Sequence, residues 1–168
     1  MNGAVQDGSD AVITPDTPPS SQLRMPFLLA DPVGSMSEEN GMGLILFPAD
    51  GDVSSPDVSW SCSHFNDFRR QLAQAEGFTL DEMWGFGGEC SWSGVSTSLE
   101  PLLGHPDTGG DALSVAECAT ILPRLEAITV RWQKQCDAPD LQQYAEDAVR
   151  LAVVLRFCVA NGVALLFL

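Results

Sequence analysis

The clearest hydrophobic pattern lies near the end of the chain, between residues 137 and 168. Apolar side chains recur there at intervals of three and four residues, which predicts the buried face of an amphipathic helix; they are Leu141, Tyr144, Ala145, Ala148, Ala152, Leu155 and Val159. Asp137 is the expected N-cap, and Asn161 and Gly162 end the pattern. Six consecutive apolar residues, 163–168, follow. A run of this kind is typical of a strand buried on both faces, so we expect a central strand of a sheet.

Two strands and a helix are predicted between residues 42 and 77. Residues 42–47 form an apolar run that Pro48 closes, and residues 58–62 alternate so that every second side chain shares a face. Ser63 is the expected N-cap of a helix that ends at Gly77. Helical spacing gives this helix an inward face of Phe65, Phe68, Leu72 and Ala75. The same spacing turns Arg69, Arg70 and Gln74 towards solvent.

Two capping boxes predict further helix starts. Thr79 with Glu82 begins a turn or two before Gly85, and Ser114 with Glu117 begins a long helix that reaches about residue 135. Pro123 lies inside the long helix and predicts a kink or a break, because proline lacks a backbone donor and clashes with the preceding turn.

These elements predict an α+β fold in which three or four helices pack on a small sheet that includes the C-terminal strand. The compact domain is expected to span residues 42–168. Residues 1–41 are rich in Pro, Ser and Asp and hold only one short apolar cluster. Such a segment buries too little apolar surface to offset its chain entropy, so we expect a flexible N-terminal arm.

The formal net charge of −15 narrows the range of partners. Six of the acids lie in the arm and seventeen lie after it, so the whole chain is acidic. A polyanion is repelled by DNA, RNA and anionic lipid, which argues against nucleic-acid and membrane partners. The same charge favours a basic protein partner, although solubility alone also accounts for it. The sequence leaves the oligomeric state open.

The five cysteines are odd in number and widely spaced, which is typical of free thiols. With no basic region before an apolar segment we expect no signal peptide, and a reducing cytoplasm is the expected compartment. Arg150, Arg156, Asn161 and Gly162 interrupt the apolar end of the chain, so no window approaches the ~20 residues that span a bilayer.

A glycine-rich loop between residues 84 and 94 carries three large aromatic side chains and an acid: Trp84, Phe86, Glu89 and Trp92. Aromatic residues in such loops supply contact area for a ligand or partner at low entropic cost, and we take these four as candidate binding residues. The alternative is that the aromatic rings plug the end of a small core. The GFGG segment lacks the spacing of a dinucleotide fingerprint.

The second candidate site is the segment 105–117. Its possible metal ligands are His105, Asp107, Asp111 and Glu117. The loop followed by a helix resembles half of a calcium-binding EF-hand. However, the twelfth position, which needs a bidentate acid, is Ala116. Glu117 also has a competing role in the capping box with Ser114. The favoured expectation is therefore that the chain has no cofactor. A Ca²⁺ or Zn²⁺ site in this segment is the alternative hypothesis.

The sequence offers few catalytic groups. His64 and His105 are the only histidines, and a nucleophilic pair of Cys62 with His64 has no supporting pattern. A zinc site from Cys62, His64, Cys90 and His105 lacks the paired close spacing of structural zinc. No serine lies in a nucleophile-elbow motif. We therefore assign no catalytic residue, and binding is favoured over catalysis.

The stretch from residue 65 to residue 132 contains FRRQLAQAEGF, the GFGG loop, PLLGH and ECATILPRL. It resembles small uncharacterised bacterial proteins of unassigned function. The resemblance implies a compact bacterial α+β domain and no particular activity.

The favoured function is a non-catalytic acidic protein-binding domain, similar to an immunity or inhibitor protein that neutralises a basic partner. Its basis is the charge together with the missing catalytic set. The alternative is a weak regulator that binds a divalent cation, or a metal-dependent hydrolase, built on the 105–117 segment.

Overall fold

The computed structural model describes residues 43–106, 110–135 and 139–168. The chain divides into two units, and these residues belong to the second. Its strands are β1 (Gly43–Pro48), β2 (Val58–Ser61) and β3 (Leu165–Phe167). Its helices are α1 (Cys62–Glu76), α2 (Glu100–Leu103), α3 (Val115–Gln133) and α4 (Pro139–Asn161). Short 3₁₀ turns occur at Leu80–Glu82 and Trp92–Gly94. The α+β prediction is confirmed.

The three strands form an antiparallel sheet in the order β2-β1-β3. The C-terminal strand belongs to the sheet, as predicted, but its predicted central position is wrong. β1 is central and β3 lies at an edge. Leu113 bonds the outer side of β3, exchanging two backbone hydrogen bonds of 2.9 Å with Leu165. This bridge satisfies the outward backbone groups of Leu165 at the edge of the sheet.

One face of the sheet forms the core with the helices. Alternate strand residues point to this face and are buried there; they are Leu44, Leu46, Val58, Trp60, Leu165 and Phe167. The predicted stripe of α4 is confirmed at Ala145, Ala148, Ala152 and Leu155, which are all buried.

The first helix begins earlier than predicted. Ser61, not Ser63, is its N-cap, and the Ser61 hydroxyl accepts a hydrogen bond of 3.1 Å from the amide of His64. The extended backbone of β2 ends at Ser61, so the orphan amides of the helix lie within reach of this hydroxyl. Gly77 ends the helix in the left-handed conformation, as predicted.

Arg69 is also a correction, because it is buried with 2 % of its surface exposed rather than facing solvent. The helix lies between the sheet on one side and the loops 84–86 and 104–106 on the other, so more than one of its faces is covered. The aliphatic stem and flat guanidinium of an arginine can fill such a position when polar partners are at hand.

The two expected capping boxes differ in outcome. Ser114 and Glu117 form the complete box at the start of α3. Thr79 makes no side-chain cap, and only a 3₁₀ turn follows it. Three residues of 3₁₀ helix leave few orphan amides to cap, so the box has little to stabilise.

α3 runs through Pro123 as one helix, so the expected break is absent. Buried residues lie on both sides of the proline, Cys118 and Ile121 before it and Leu125 and Ile128 after it. Packing against α4 along the whole length outweighs the local cost of the proline.

Three sequence predictions lie outside the described residues: the N-terminal arm 1–41, the cap Asp137 and the candidate ligand Asp107. Within the described ranges, no helix has both the length and the apolarity required to cross a lipid bilayer.

Candidate functional site

The glycine-rich loop is a closed turn with a fixed backbone. The amide of Trp84 donates to the carbonyl of Cys90 at 2.8 Å, and the amide of Cys90 donates to the carbonyl of Glu82 at 2.9 Å. Gly85 and Gly87 have φ of +97° and +102°, a region that other residues rarely adopt. At Gly88 an added Cβ would lie 2.0 Å from the carbonyl oxygen of Glu82. The turn therefore depends on glycine at several positions.

The predicted aromatic residues of this loop divide into two groups. Phe86 and Trp92 are partly buried and pack against the core, with the Trp92 ring edge-on to Phe78 and to Phe86 at centroid distances of 6.2 Å. The indole nitrogen of Trp92 donates to the carbonyl of Trp84 at 3.1 Å. These two rings fit the alternative in which the aromatic residues close the end of a core.

Trp84 is the exception, because 75 % of its surface is exposed. Its backbone is held by the hydrogen bonds described above, so the ring is presented on a fixed support. Exposed acids lie close to it in the chain, Asp81 and Glu82 before it and Glu89 after it. The structure therefore places the candidate residues Trp84 and Glu89 on the surface of one closed loop.

Arg69 connects α1 to the loops around Trp84. Its guanidinium carbon lies 4.5 Å from the ring centroid of Phe65 and 5.0 Å from that of Phe86. It donates hydrogen bonds to the carbonyl of His105 and to the side-chain oxygen of Asn66. A surface cleft of about 550 Å³ opens above it, with Trp84 in its wall. No signal in the sequence indicates this role, because helical spacing predicts that Arg69 points towards solvent.

His105 is buried and held by both ring nitrogens. Nδ1 lies 2.7 Å from the carbonyl oxygen of Pro106, and Nε2 lies 2.6 Å from that of Asp111. Each ring nitrogen therefore has a carbonyl oxygen within hydrogen-bond distance, and a carbonyl oxygen only accepts hydrogen bonds. The ring stacks on Phe167 at a centroid distance of 3.7 Å. Both nitrogens are engaged, which leaves neither for a metal ion.

The other candidate ligands are not drawn into a coordinating cluster in the part of the chain that the structure describes. Asp111 is exposed, and its backbone rather than its carboxylate contacts His105. The carboxylate of Glu117 accepts from the hydroxyl of Ser114 at 2.7 Å and from its amide at 2.8 Å, which lowers the pKa of Glu117. Among the described residues no group of three His, Cys, Asp or Glu side chains is arranged to hold a metal ion.

A buried polar network that sequence reasoning missed surrounds Asp147, which is fully buried in α4. Its carboxylate accepts from the indole nitrogen of Trp60 at 3.0 Å, contacts Nε2 of His64 at 2.6 Å and pairs with Arg150. His64 also stacks on Tyr144. Trp60 and His64 come from β2 and α1, so periodicity within α4 could not reveal these two contacts. His64 is thereby tied to α4 rather than to Cys62 or Cys90.

The positive side chains of the domain are used within it. Arg70 contacts Asp67 and Asp81, Arg156 pairs with Glu126, and Arg131 donates to the carbonyl of Ala75. Arg124 pairs with Glu76 at 2.7 Å. Every arginine that the structure describes therefore contacts an internal acceptor. Acidic residues outnumber basic ones in the part of the chain that the structure describes, so the net charge there is negative.

Comparison of the chain with protein-family models, with characterised proteins and with solved structures found no match.

Proposed function

We propose that this chain is a non-catalytic acidic protein-binding domain that engages a basic partner protein, similar to an immunity or inhibitor protein. The observation that carries the proposal is Trp84, an indole ring with 75 % of its surface exposed on a closed loop. Tryptophan is among the residues that contribute most to binding energy at protein interfaces. A fixed backbone beneath it reduces the entropy lost on binding.

The surroundings of Trp84 favour a cationic contact. Glu82 and Glu89 are exposed on the same loop, and the net charge of the chain is −15. A lysine or arginine side chain can lie over the face of an indole ring while a nearby carboxylate pairs with its charge. Complementary charge of this kind accelerates association and selects the partner.

The described chemistry supports binding more than catalysis. Both ring nitrogens of His105 are occupied by carbonyl oxygens, and Nε2 of His64 is held by Asp147. Cys90, Cys118 and Cys158 are free thiols, which fits a reducing compartment such as the cytoplasm. The metal-dependent alternative rests on segment 105–117, where the contacts of His105 and Glu117 are already used within the fold.

The test is capture of host proteins by the immobilised full chain, compared between wild type and a Trp84→Ala variant by quantitative mass spectrometry. We expect a basic protein that wild type retains at low salt and that Trp84→Ala loses. Val130→Ala is the matched control, because Val130 is also an exposed apolar residue and lies on α3. Capture of the same proteins by wild type and Trp84→Ala, or selective capture of acidic proteins, would refute the proposal.

A further inference from the structure

A second apolar surface lies on the side of the sheet that faces away from α1 and α4. It consists of Ile45, Phe47, Leu166 and Leu168, which we call the open sheet face. Side chains along a strand point alternately to the two faces of the sheet. The chain neighbours of these four residues point to the other face, and Leu44, Leu46 and Phe167 among them are buried in the core. Ile45 is 42 % exposed and Leu168 is 67 % exposed, whereas Phe47 and Leu166 are partly buried.

The four side chains form one continuous patch because their strands are directly paired. Ile45 and Leu168 exchange backbone hydrogen bonds of 2.7 and 3.0 Å. Phe47 lies opposite Leu166 in the register of β1 and β3. Cross-strand neighbours on one face have side chains in contact range, so the patch is two residues long on each of two strands. Surface leucine, isoleucine and phenylalanine in a contiguous group are a mark of an interaction site.

An acidic hairpin borders this patch. The connection between β1 and β2 carries exposed Asp50, Asp52 and Asp57. It is ordered by side-chain hydrogen bonds, in which Asp52 accepts from the amide of Ser54 at 2.9 Å and from its hydroxyl at 2.7 Å. Both hydrogen bonds hold the pKa of Asp52 below its ordinary value, and the bond from the Ser54 amide has the larger effect. This side chain therefore stays ionised. Negative charge is therefore held at the end of β1 that carries Phe47.

We propose that the open sheet face docks an amphipathic helix of a partner protein, with an apolar stripe against Ile45, Phe47, Leu166 and Leu168 and lysine or arginine residues over the acidic hairpin. Helices already pack on the opposite face of the same sheet, so a helix here would complete a layered α/β/α arrangement. Strands lie about 4.8 Å apart, and the width of the three-stranded sheet matches the diameter of about 10 Å of one helix.

Charge decides between this occupant and a second copy of the chain. Two copies would each bring a net charge of −15 and an acidic hairpin to the same interface. Like charges brought together at an interface oppose association. A basic helix has the opposite charge and removes apolar surface from water at the same time. The inference rests on the proposed function in requiring a basic protein partner, but it names a surface separate from Trp84.

The experiment uses the full chain labelled with ¹⁵N and a synthetic helical peptide that has a leucine stripe and lysines on its polar face. A second peptide with glutamate in place of every lysine is the matched control. We expect the lysine peptide to shift the amide resonances of Ile45, Phe47 and Leu166, and the glutamate peptide to leave them unchanged. The affinity is expected to fall as salt is raised.

Variants test whether the peptide binds at this surface. The double variant I45Q/L166Q keeps the size of the side chains and removes their apolar character, and we expect it to bind the lysine peptide at least about tenfold more weakly, a difference of one decade in Kd. Asp57→Asn is expected to weaken binding less, and Val130→Ala, at an exposed apolar residue of α3, to leave it unchanged. Circular dichroism and thermal unfolding show whether each variant is folded.

Three results would overturn the inference. They are a lysine peptide that does not bind, shifts confined to residues outside β1 and β3, and concentration-dependent shifts at the open sheet face that show the chain pairing with itself. If I45Q/L166Q proves unfolded, Ile45→Gln alone makes the same comparison. None of these results affects capture through Trp84, so the proposed function and this inference fail separately.

Discussion

Asp147 shows how one side chain can join distant parts of the chain. It lies in α4, is fully buried, and contacts Trp60 of β2, His64 of α1 and Arg150 of its own helix. A buried carboxylate costs desolvation energy, which must be offset by good hydrogen bonds. Trp60 and His64 supply these at distances of 3.0 and 2.6 Å.

We expect Asp147→Asn to lower the free energy of unfolding by about 3 kcal/mol. The substitution removes the negative charge and one acceptor oxygen, while the surrounding donors stay buried. Chemical denaturation followed by circular dichroism measures the change. Asp67→Asn is the matched control, since Asp67 also pairs with an arginine three residues away but is 54 % exposed. A surface pair contributes less than about 1 kcal/mol. Equal effects of the two substitutions would contradict the assigned role.

Glu76 gives a pH-dependent prediction. Burial raises its pKa, but hydrogen bonds from Arg124 and Thr97 outweigh burial, so its pKa in the folded protein lies below the ordinary value of 4.5. Its contribution is therefore present above pH 4.5 and lost as the pH falls through the folded value. We expect Glu76→Gln to cost about 1 kcal/mol at neutral pH, and the difference from wild type to shrink in acid. Urea denaturation across this range is the measurement, and a gap that widens in acid would be inconsistent.

Residues whose partners are local were predictable, and residues whose partners are distant were not. The Ser114–Glu117 capping box and Gly77 were found because each acts within one turn of its helix. Arg69 was placed on the wrong face because its environment includes loops that helical periodicity does not report. The ring contacts of His105 and the donors around Asp147 are likewise tertiary.

The loop of residues 83–90 is the element on which the candidate site depends. Gly88 lies so close to the backbone of Glu82 that an added Cβ would be 2.0 Å from its carbonyl oxygen. We expect Gly88→Ala to displace the loop and to destabilise the fold by about 2 kcal/mol through overpacking. Trp84 would lose its fixed support, so partner capture is expected to fall as well.

Thermal unfolding and capture measure these two effects, and Gly94→Ala is the control. An added Cβ at Gly94 meets no atom within 4 Å, and its φ is outside the left-handed region. The account of the loop is wrong if both alanine variants behave like wild type.

The strands show what an apolar pattern can establish. The six apolar residues 163–168 correctly predicted a C-terminal strand, but not its place in the sheet. A strand has a uniformly apolar sequence when both of its faces carry apolar side chains. The pattern does not tell whether other elements cover both faces. In β3 one face is the core, and the other contributes Leu166 to the open sheet face. Uniform apolarity therefore reflects an edge strand with apolar side chains on both faces rather than a central strand.

At the scale of the whole molecule, exposed acids and exposed apolar side chains occur together in two places within the described residues. Trp84 lies on a loop with exposed Glu82 and Glu89, and the strand β1 of the open sheet face leads into the acidic hairpin. The total charge is evident from the sequence. Only the fold shows that the described arginines contact acceptors within the domain. The four candidate binding residues lie close together in the sequence, and only the structure distinguishes exposed Trp84 from packed Phe86 and Trp92.

The central claim is that Trp84 and the surrounding carboxylates bind a basic partner protein. Its most direct test is the dissociation constant of the captured partner for wild type and for Trp84→Ala, each at low and at physiological ionic strength. We expect binding to wild type to weaken as salt is raised, because the carboxylates contribute to it, and to be at least about tenfold weaker for Trp84→Ala at both strengths. An affinity that is independent of salt, or the same for both proteins, would contradict the account.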